Sequence, residues 1–317
     1  MYLCTHTFQG GISQVTTPKF KGIIPPVPTI LNQEGQLDKT GMKHMIDHLI
    51  AGGVDVLFFL GSAGEFSQMS AEMRKEIAEF CVSYTNHRLP TLIGIASPGT
   101  EETIKYGLHA KTIGADGAVL VNPYYAILRE ENIYNYYKEV VTAVDLPIIL
   151  YNFPALTNQD LSPALVKRLA VDFPNIVGIK DTVDSMRHIR DVILTVKPVR
   201  PDFGVYAGFD EYMLDTLIIG GDGGFPSSAN FAPYLAKGIY RAFLEKDGER
   251  LIELQRLLSY VPPIFALESP FYSVVKESAK MAGVDIPTKV LPPAVPLTDE
   301  KKAMIREVLQ KLGVLQQ

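Results

Sequence analysis

From Gly22 to Ser228, short apolar runs alternate with amphipathic stretches, and this alternation limits the available folds more than any other feature. The runs are GIIPPVPTI (22–30), VDVLFFLG (54–61), TLIGIAS (91–97), GAVLVNP (117–123), PIILYNF (147–153), IVGIKD (176–181), FGVYAGF (203–209) and GGFPSS (223–228). Most are apolar throughout, the pattern of strands covered on both faces. Between them the spacing predicts helices over 37–51, 71–85, 101–114, 130–144, 162–172, 184–196 and 211–219. In the first, Met42, Met45, Ile46 and Leu49 recur as one buried stripe. Ser70 and Ser162 stand where N-caps belong, with Pro163 at the first helical position. Eight strand–helix units within about 225 residues predict an α/β fold, a (β/α)8 TIM barrel. A doubly wound open sheet is the alternative, though it rarely carries eight units without an interrupting domain.

After Asn230 the strand signals stop. Residues 231–246, 247–260, 268–283 and 298–313 read as helices, broken at Pro262-Pro263 and by the loop IPTKVLPPAVP. The expected division is an N-terminal extension over 1–21, the barrel over 22–246 and a small C-terminal helical subdomain over 247–317.

Composition narrows the function. A net charge of −5 and no long basic stretch argue against nucleic acid or an anionic membrane as partner. No run of about 20 apolar residues is present, and MYLCTHTFQGGISQ lacks a signal-like core, so the cytoplasm is expected. Cys4 and Cys81 show no metal or redox spacing; one mobile thiol and one packed in a helix is the plain reading. His44 and His48 share a helix face but lack a carboxylate partner pattern, so no metal is expected.

Barrel active sites form at the C-terminal ends of strands. The sixth strand ends in Lys180, where burial would lower the amine's pKa and free it to attack a ketone. The resulting iminium is an electron sink for breaking the adjacent C–C bond. A lysine snorkelling to solvent, or paired with Asp181, is the alternative. The fifth ends in Tyr151, whose phenol could shuttle protons or could simply be a core tyrosine. The second ends in the turn Gly61–Phe66, where amides, Gly64 and the Ser62 hydroxyl suit a carboxylate. Asp210 and Glu211 could accept hydrogen bonds from polyol hydroxyls or stabilise a helix N-terminus. The glycine loop Gly220–Ser228 could bind phosphate, but it carries no basic residue and reads as space beside Lys180.

Together GSAGE (61–65), YNFP (151–154) and GIKDT (178–182) resemble the dihydrodipicolinate synthase and N-acetylneuraminate lyase family of class I aldolases, in order and spacing. The resemblance runs from about Gly22 to the C-terminus. It implies a homotetramer, a dimer of dimers, needing no cofactor and taking a 2-oxo acid, pyruvate, as product or co-substrate. Lys180 would be the Schiff-base residue and Tyr151 the proton carrier, with Ser62 and its turn binding the carboxylate and Thr182 lining the same site. Tyr125, in NPYY (122–125), is similar to the tyrosine that reaches a neighbouring subunit's site. Two departures bear on substrate: Leu156 stands where the synthases carry a carboxylate-binding arginine, and Ala63 replaces a threonine. Both point away from aspartate semialdehyde. Longer stretches, FFLGSAGEFSQ and KVLPPAVPL among them, resemble bacterial 2-keto-3-deoxygluconate and deoxypentonate aldolases. A synthase, a sugar-acid dehydratase or a non-catalytic ligand-binding barrel remain the rival readings.

Overall fold

A computed structural model describes residues 18–315. Eight strands appear where the apolar runs predict them: β1 (Gly22–Ile23), β2 (Leu57–Phe59), β3 (Thr91–Gly94), β4 (Gly117–Val121), β5 (Ile148–Asn152), β6 (Ile176–Asp181), β7 (Gly204–Ala207) and β8 (Gly223–Gly224). All pair in parallel, in the order β1-β8-β7-β6-β5-β4-β3-β2. The ring closes through a bridge from Pro26 to Phe58, with the Val27 amide donating to the Phe58 carbonyl at 2.8 Å. The barrel expectation therefore holds. At the β1–β8 seam a Cβ on Gly223 would lie 2.0 Å from the Gly22 carbonyl oxygen, so only glycine lets these strands meet.

The outer layer is α1 (Lys39–Ala51), α2 (Ala71–Thr85), α3 (Thr100–Thr112), α4 (Glu130–Ala143), then the single turn α5 (Pro154–Thr157), α6 (Pro163–Asp172), α7 (Met186–Val196), α8 (Met213–Ile218) and α9 (Pro233–Glu245). Met42, Met45, Ile46 and Leu49 of α1 are all buried, as their spacing requires. Ser70 accepts from the Met73 amide and Ser162 from the Leu165 amide, each cap adding about 1 kcal/mol. The run from 211 divides instead, a 3₁₀ turn over Asp210–Tyr212 leading into α8.

Four more helices follow: α10 (Gly248–Leu258), α11 (Pro262–Phe265), α12 (Tyr272–Met281) and α13 (Asp299–Leu312). The Pro262-Pro263 pair starts the short α11 instead of merely breaking a helix, since proline suits a first helical turn. Leu254, Leu258, Val261, Ile264 and Val274 join the same apolar cluster as the barrel residues. None of the described helices is long and apolar enough to cross a membrane. Cys81 is buried in α2, and burial pushes its thiol far up; Cys4 lies outside the described residues, as do residues 1–17 of the expected extension.

Candidate active site

Register brings the two principal candidates together. β5 and β6 pair so that Tyr151 lies beside Lys180 and Asn152 beside Asp181. The Lys180 amine rests 3.9 Å from the centre of the Tyr151 ring, with Phe58 and Phe225 at 5.3 and 5.2 Å. Those aromatic walls withdraw the amine from water, leaving Lys180 4% exposed. Burial therefore pulls its pKa from 10.5 to about 7, against an opposing pull from the Asp210 charge. The amine can be neutral at ordinary pH, which a nucleophile needs. The pairing with Asp181 weighed from sequence does not form: Asp181 bonds to Asn152 and His188.

Burial also pushes the Tyr151 phenol up to about 12, so it stays protonated, and its oxygen lies 3.3 Å from the Ser62 hydroxyl. Ser62 belongs to a tight turn bracketed by Leu60 and Glu65, both left-handed at φ 57° and 61°. Such non-glycine strain persists only where packing holds it. Glu65 supplies that hold. Its buried carboxylate pairs with Lys276 of α12 at 2.5 Å and accepts the Leu291 amide at 2.7 Å.

The turn is more selective than expected. The Gly64 amide already bonds to the Gly61 carbonyl at 2.9 Å, and its own carbonyl accepts the Thr29 hydroxyl. Ser62 and Ala63, not Gly64, line the cavity. Neither of their amides donates to a backbone acceptor among the described residues, which leaves both for a carboxylate.

The cavity above Lys180 encloses about 300 Å3. Thr182 enters it with a buried hydroxyl that has no partner among the described residues. Gly208 lies against Thr182, since a Cβ there would come 1.8 Å from the Thr182 hydroxyl oxygen. Asp210 and Glu211 both reach the wall, with different freedom. Asp210 is buried and accepts the Ser227 and Ser228 amides at 2.9 Å each. Burial still pushes its carboxyl up to about 6, and the two amides fix its orientation on the wall. Glu211 is less enclosed; burial raises its pKa too.

Several expectations change. Of the loop Gly220–Ser228, Ser227 lines the cavity and Phe225 stands beside the Lys180 amine, whereas Gly221 and Gly224 accommodate Thr216 and Met213. Leu156 lines an adjoining cavity of about 210 Å3, which shares Ser62 and Phe153 with the first. Tyr125 sits outside both, 99% exposed with φ 79°, on a separate groove of about 510 Å3. Within one chain it does not meet Lys180.

Sequence reasoning missed the cavity's outer wall: Phe209, and from the C-terminal helices Pro262, Phe265, Ala266 and Phe271. The segment past residue 247 is thus part of the site. It also missed Asn152, whose amide joins Asp160 at 2.7 Å and Asp181 at 3.0 Å. The clue to the wall was the aromatic-rich stretch PPIFALESPFY, whose prolines break the helices and whose aromatic residues lie between them. His44 bonds to the Asp285 carbonyl, and among the described residues no three potential ligands cluster to hold a metal.

With this geometry in place, comparison with known proteins is decisive. The model of the dihydrodipicolinate synthetase family matches residues 19–312. The chain belongs to that family. The probable 2-dehydro-3-deoxy-D-pentonate aldolase YjhH of Escherichia coli K12 is 48% identical over 297 residues, covering 94% of this chain and 99% of its own length. The putative 2-dehydro-3-deoxy-D-gluconate aldolase YagE of the same strain is 47% identical over 293 residues, covering 92% and 97%. The crystal structure of YagE in complex with pyruvate superposes with a TM-score of 0.92 at 47% identity, covering 93% of this chain and 99% of that one. As a member of the dihydrodipicolinate synthetase family, this chain is an enzyme of lyase type built on a TIM barrel.

Proposed function

We propose that this chain is a class I aldolase that cleaves a 2-keto-3-deoxy sugar acid into pyruvate and an aldehyde. The reading is carried by one observation: a buried lysine amine with pKa near 7, packed against a protonated tyrosine on the wall of a cavity. The names of YjhH and YagE, and the pyruvate bound to YagE, support the substrate class.

Lys180 attacks the C2 carbonyl, and loss of water from the carbinolamine leaves an iminium. Tyr151 returns the proton that this water needs and accepts the proton of the C4 hydroxyl. The C3–C4 electron pair then moves into the iminium, the aldehyde departs, and an enamine remains. Protonation at C3 and hydrolysis free pyruvate and the lysine. The substrate carboxylate lies on the Ser62 and Ala63 amides with the Ser62 hydroxyl. Thr182 supplies a hydroxyl to the reacting centre, and Glu211 faces the polyol end. Leu156, exposed on the side cavity and uncharged, suits a neutral aldehyde half such as glyceraldehyde or glycolaldehyde. The proposal includes a homotetramer in which Tyr125 projects into a neighbouring copy.

Incubation with pyruvate and borohydride tests the reading. Mass spectrometry should find the reduced adduct on the peptide holding Lys180, and an unmodified peptide would sink it. Appreciable turnover of aspartate semialdehyde would overturn the reading of Leu156.

A further inference from the structure

Behind Tyr151 and Lys180, on the outer side of the strand ends, four groups form a closed hydrogen-bonded ring. The Asn152 amide donates to Asp181 Oδ1 at 3.0 Å, and Asn152 Oδ1 accepts the Leu161 backbone amide at 3.1 Å. The Leu161 carbonyl meets His188 Nε2 at 3.1 Å, and His188 Nδ1 meets Asp181 Oδ2 at 2.7 Å. Asn152 and Asp181 are fully buried, and the His188 side chain is 12% exposed.

Donor and acceptor roles in this ring are forced. The Leu161 amide can only donate, which fixes the orientation of the Asn152 side chain. A carbonyl and a carboxylate can only accept, so His188 must donate from both nitrogens. Only the imidazolium does that. Asn152 and Asp181 directly follow Tyr151 and Lys180 on paired strands, so the ring clamps those strands one residue beyond the reacting side chains.

We propose that His188, as its imidazolium, is a positioning residue that holds Tyr151 and Lys180 in catalytic register, and that losing its proton releases the clamp. The proposal rests on the functional reading given to those two residues. Other charges around His188 are accounted for. Asp160 lies 3.4 Å from Nε2, Asp184 accepts the Tyr212 hydroxyl, and Arg187 faces Asp191 at 3.7 Å. Burial alone would lower the His188 pKa, but Asp181 and Asp160 overcome it and raise the value. The clamp is therefore closed while His188 holds its proton, and opens as pH rises through the raised value.

The test is the rate of borohydride trapping of pyruvate at Lys180 as a function of pH. In the unaltered enzyme two limbs should appear, a gain as Lys180 deprotonates near pH 7 and an alkaline loss as His188 gives up its proton. Tyr151, at about 12, titrates too high to produce that fall. His188→Gln, which cannot donate at both ends, should trap about ten- to a hundredfold more slowly and lose the alkaline fall, as expected for misplaced reacting groups. Asp160→Asn, a milder change, should move the fall to lower pH by removing a charge that favours the imidazolium. A fall that persists in His188→Gln, or stays put in Asp160→Asn, overturns the clamp. So does its absence from the unaltered enzyme. No trapping at all in the unaltered enzyme would instead refute the catalytic role of Lys180 and remove the clamp's basis with it.

Discussion

Below neutral pH the Lys180 amine carries a proton and cannot attack a carbonyl, because its pKa is pulled to about 7. kcat/KM should therefore fall about tenfold for each pH unit below that value, as measured in a pH–rate series. The same shift has a stability sign. Between about 7 and 10.5 the folded chain holds the amine neutral while the unfolded chain protonates it, so stability grows as pH rises through that window. Lys180→Met should abolish turnover and raise Tm at pH 7 by roughly a few degrees, read by calorimetry. Tyr151→Phe keeps the ring that shields the amine but removes the phenol proposed to carry protons. Its kcat should drop by about 10²- to 10⁴-fold, with little change in KM. Lys180 and Tyr151 were legible in the sequence because each ends an apolar run, and a barrel puts such residues at its mouth. Asp210 was legible only as a carboxylate near the site. The partners that anchor it, Ser227 and Ser228, lie on the next strand's loop, and no local pattern announces a bond across that distance.

At the scale of elements, strands and helices were readable because their apolar periods differ and burial enforces both. The ends of the chain's motifs were not. Glu65 looked like the tail of a glycine turn, yet its carboxylate reaches Lys276, some two hundred residues away, and the Leu291 amide. That buried pair holds the left-handed turn carrying Ser62 and fastens α12 over the barrel mouth. Removing one partner leaves a buried charge exposed to apolar surroundings. Lys276→Met alone should cost about 3–5 kcal/mol, whereas Glu65→Gln with Lys276→Met should cost much less than the sum of the single changes. Denaturant melts of the three variants measure this coupling. Additive losses would show that the pair does not act as a unit. The glycines of 220–224 teach the converse lesson: they looked like room for a ligand, and their real task is to let β8 approach β1 and to accommodate α8.

At the scale of the whole molecule, one chain completes the cavity around Lys180 but leaves Tyr125 outside it, fully exposed and in a left-handed backbone conformation. A tyrosine so displayed, beside the exposed Ile127, is poorly explained by the needs of a monomer. If a second copy receives it, each active site draws Lys180 from one chain and Tyr125 from another. In an isologous pair this exchange is mutual, so both sites form together. The arrangement predicts complementation. Lys180→Ala and Tyr125→Ala should each have low activity as separate preparations. When subunits are mixed and allowed to reassort, half of the pairs carry one of each variant. In such a pair one site inherits both defects, and the other inherits neither. About a quarter of the sites should then be intact, and aldol cleavage should recover toward roughly a quarter of the unaltered rate. Sedimentation velocity on the mixture checks that reassorted oligomers are present. Recovery absent despite reassortment would place Tyr125 outside the shared site, and the exposed tyrosine would then have to be explained without a partner chain.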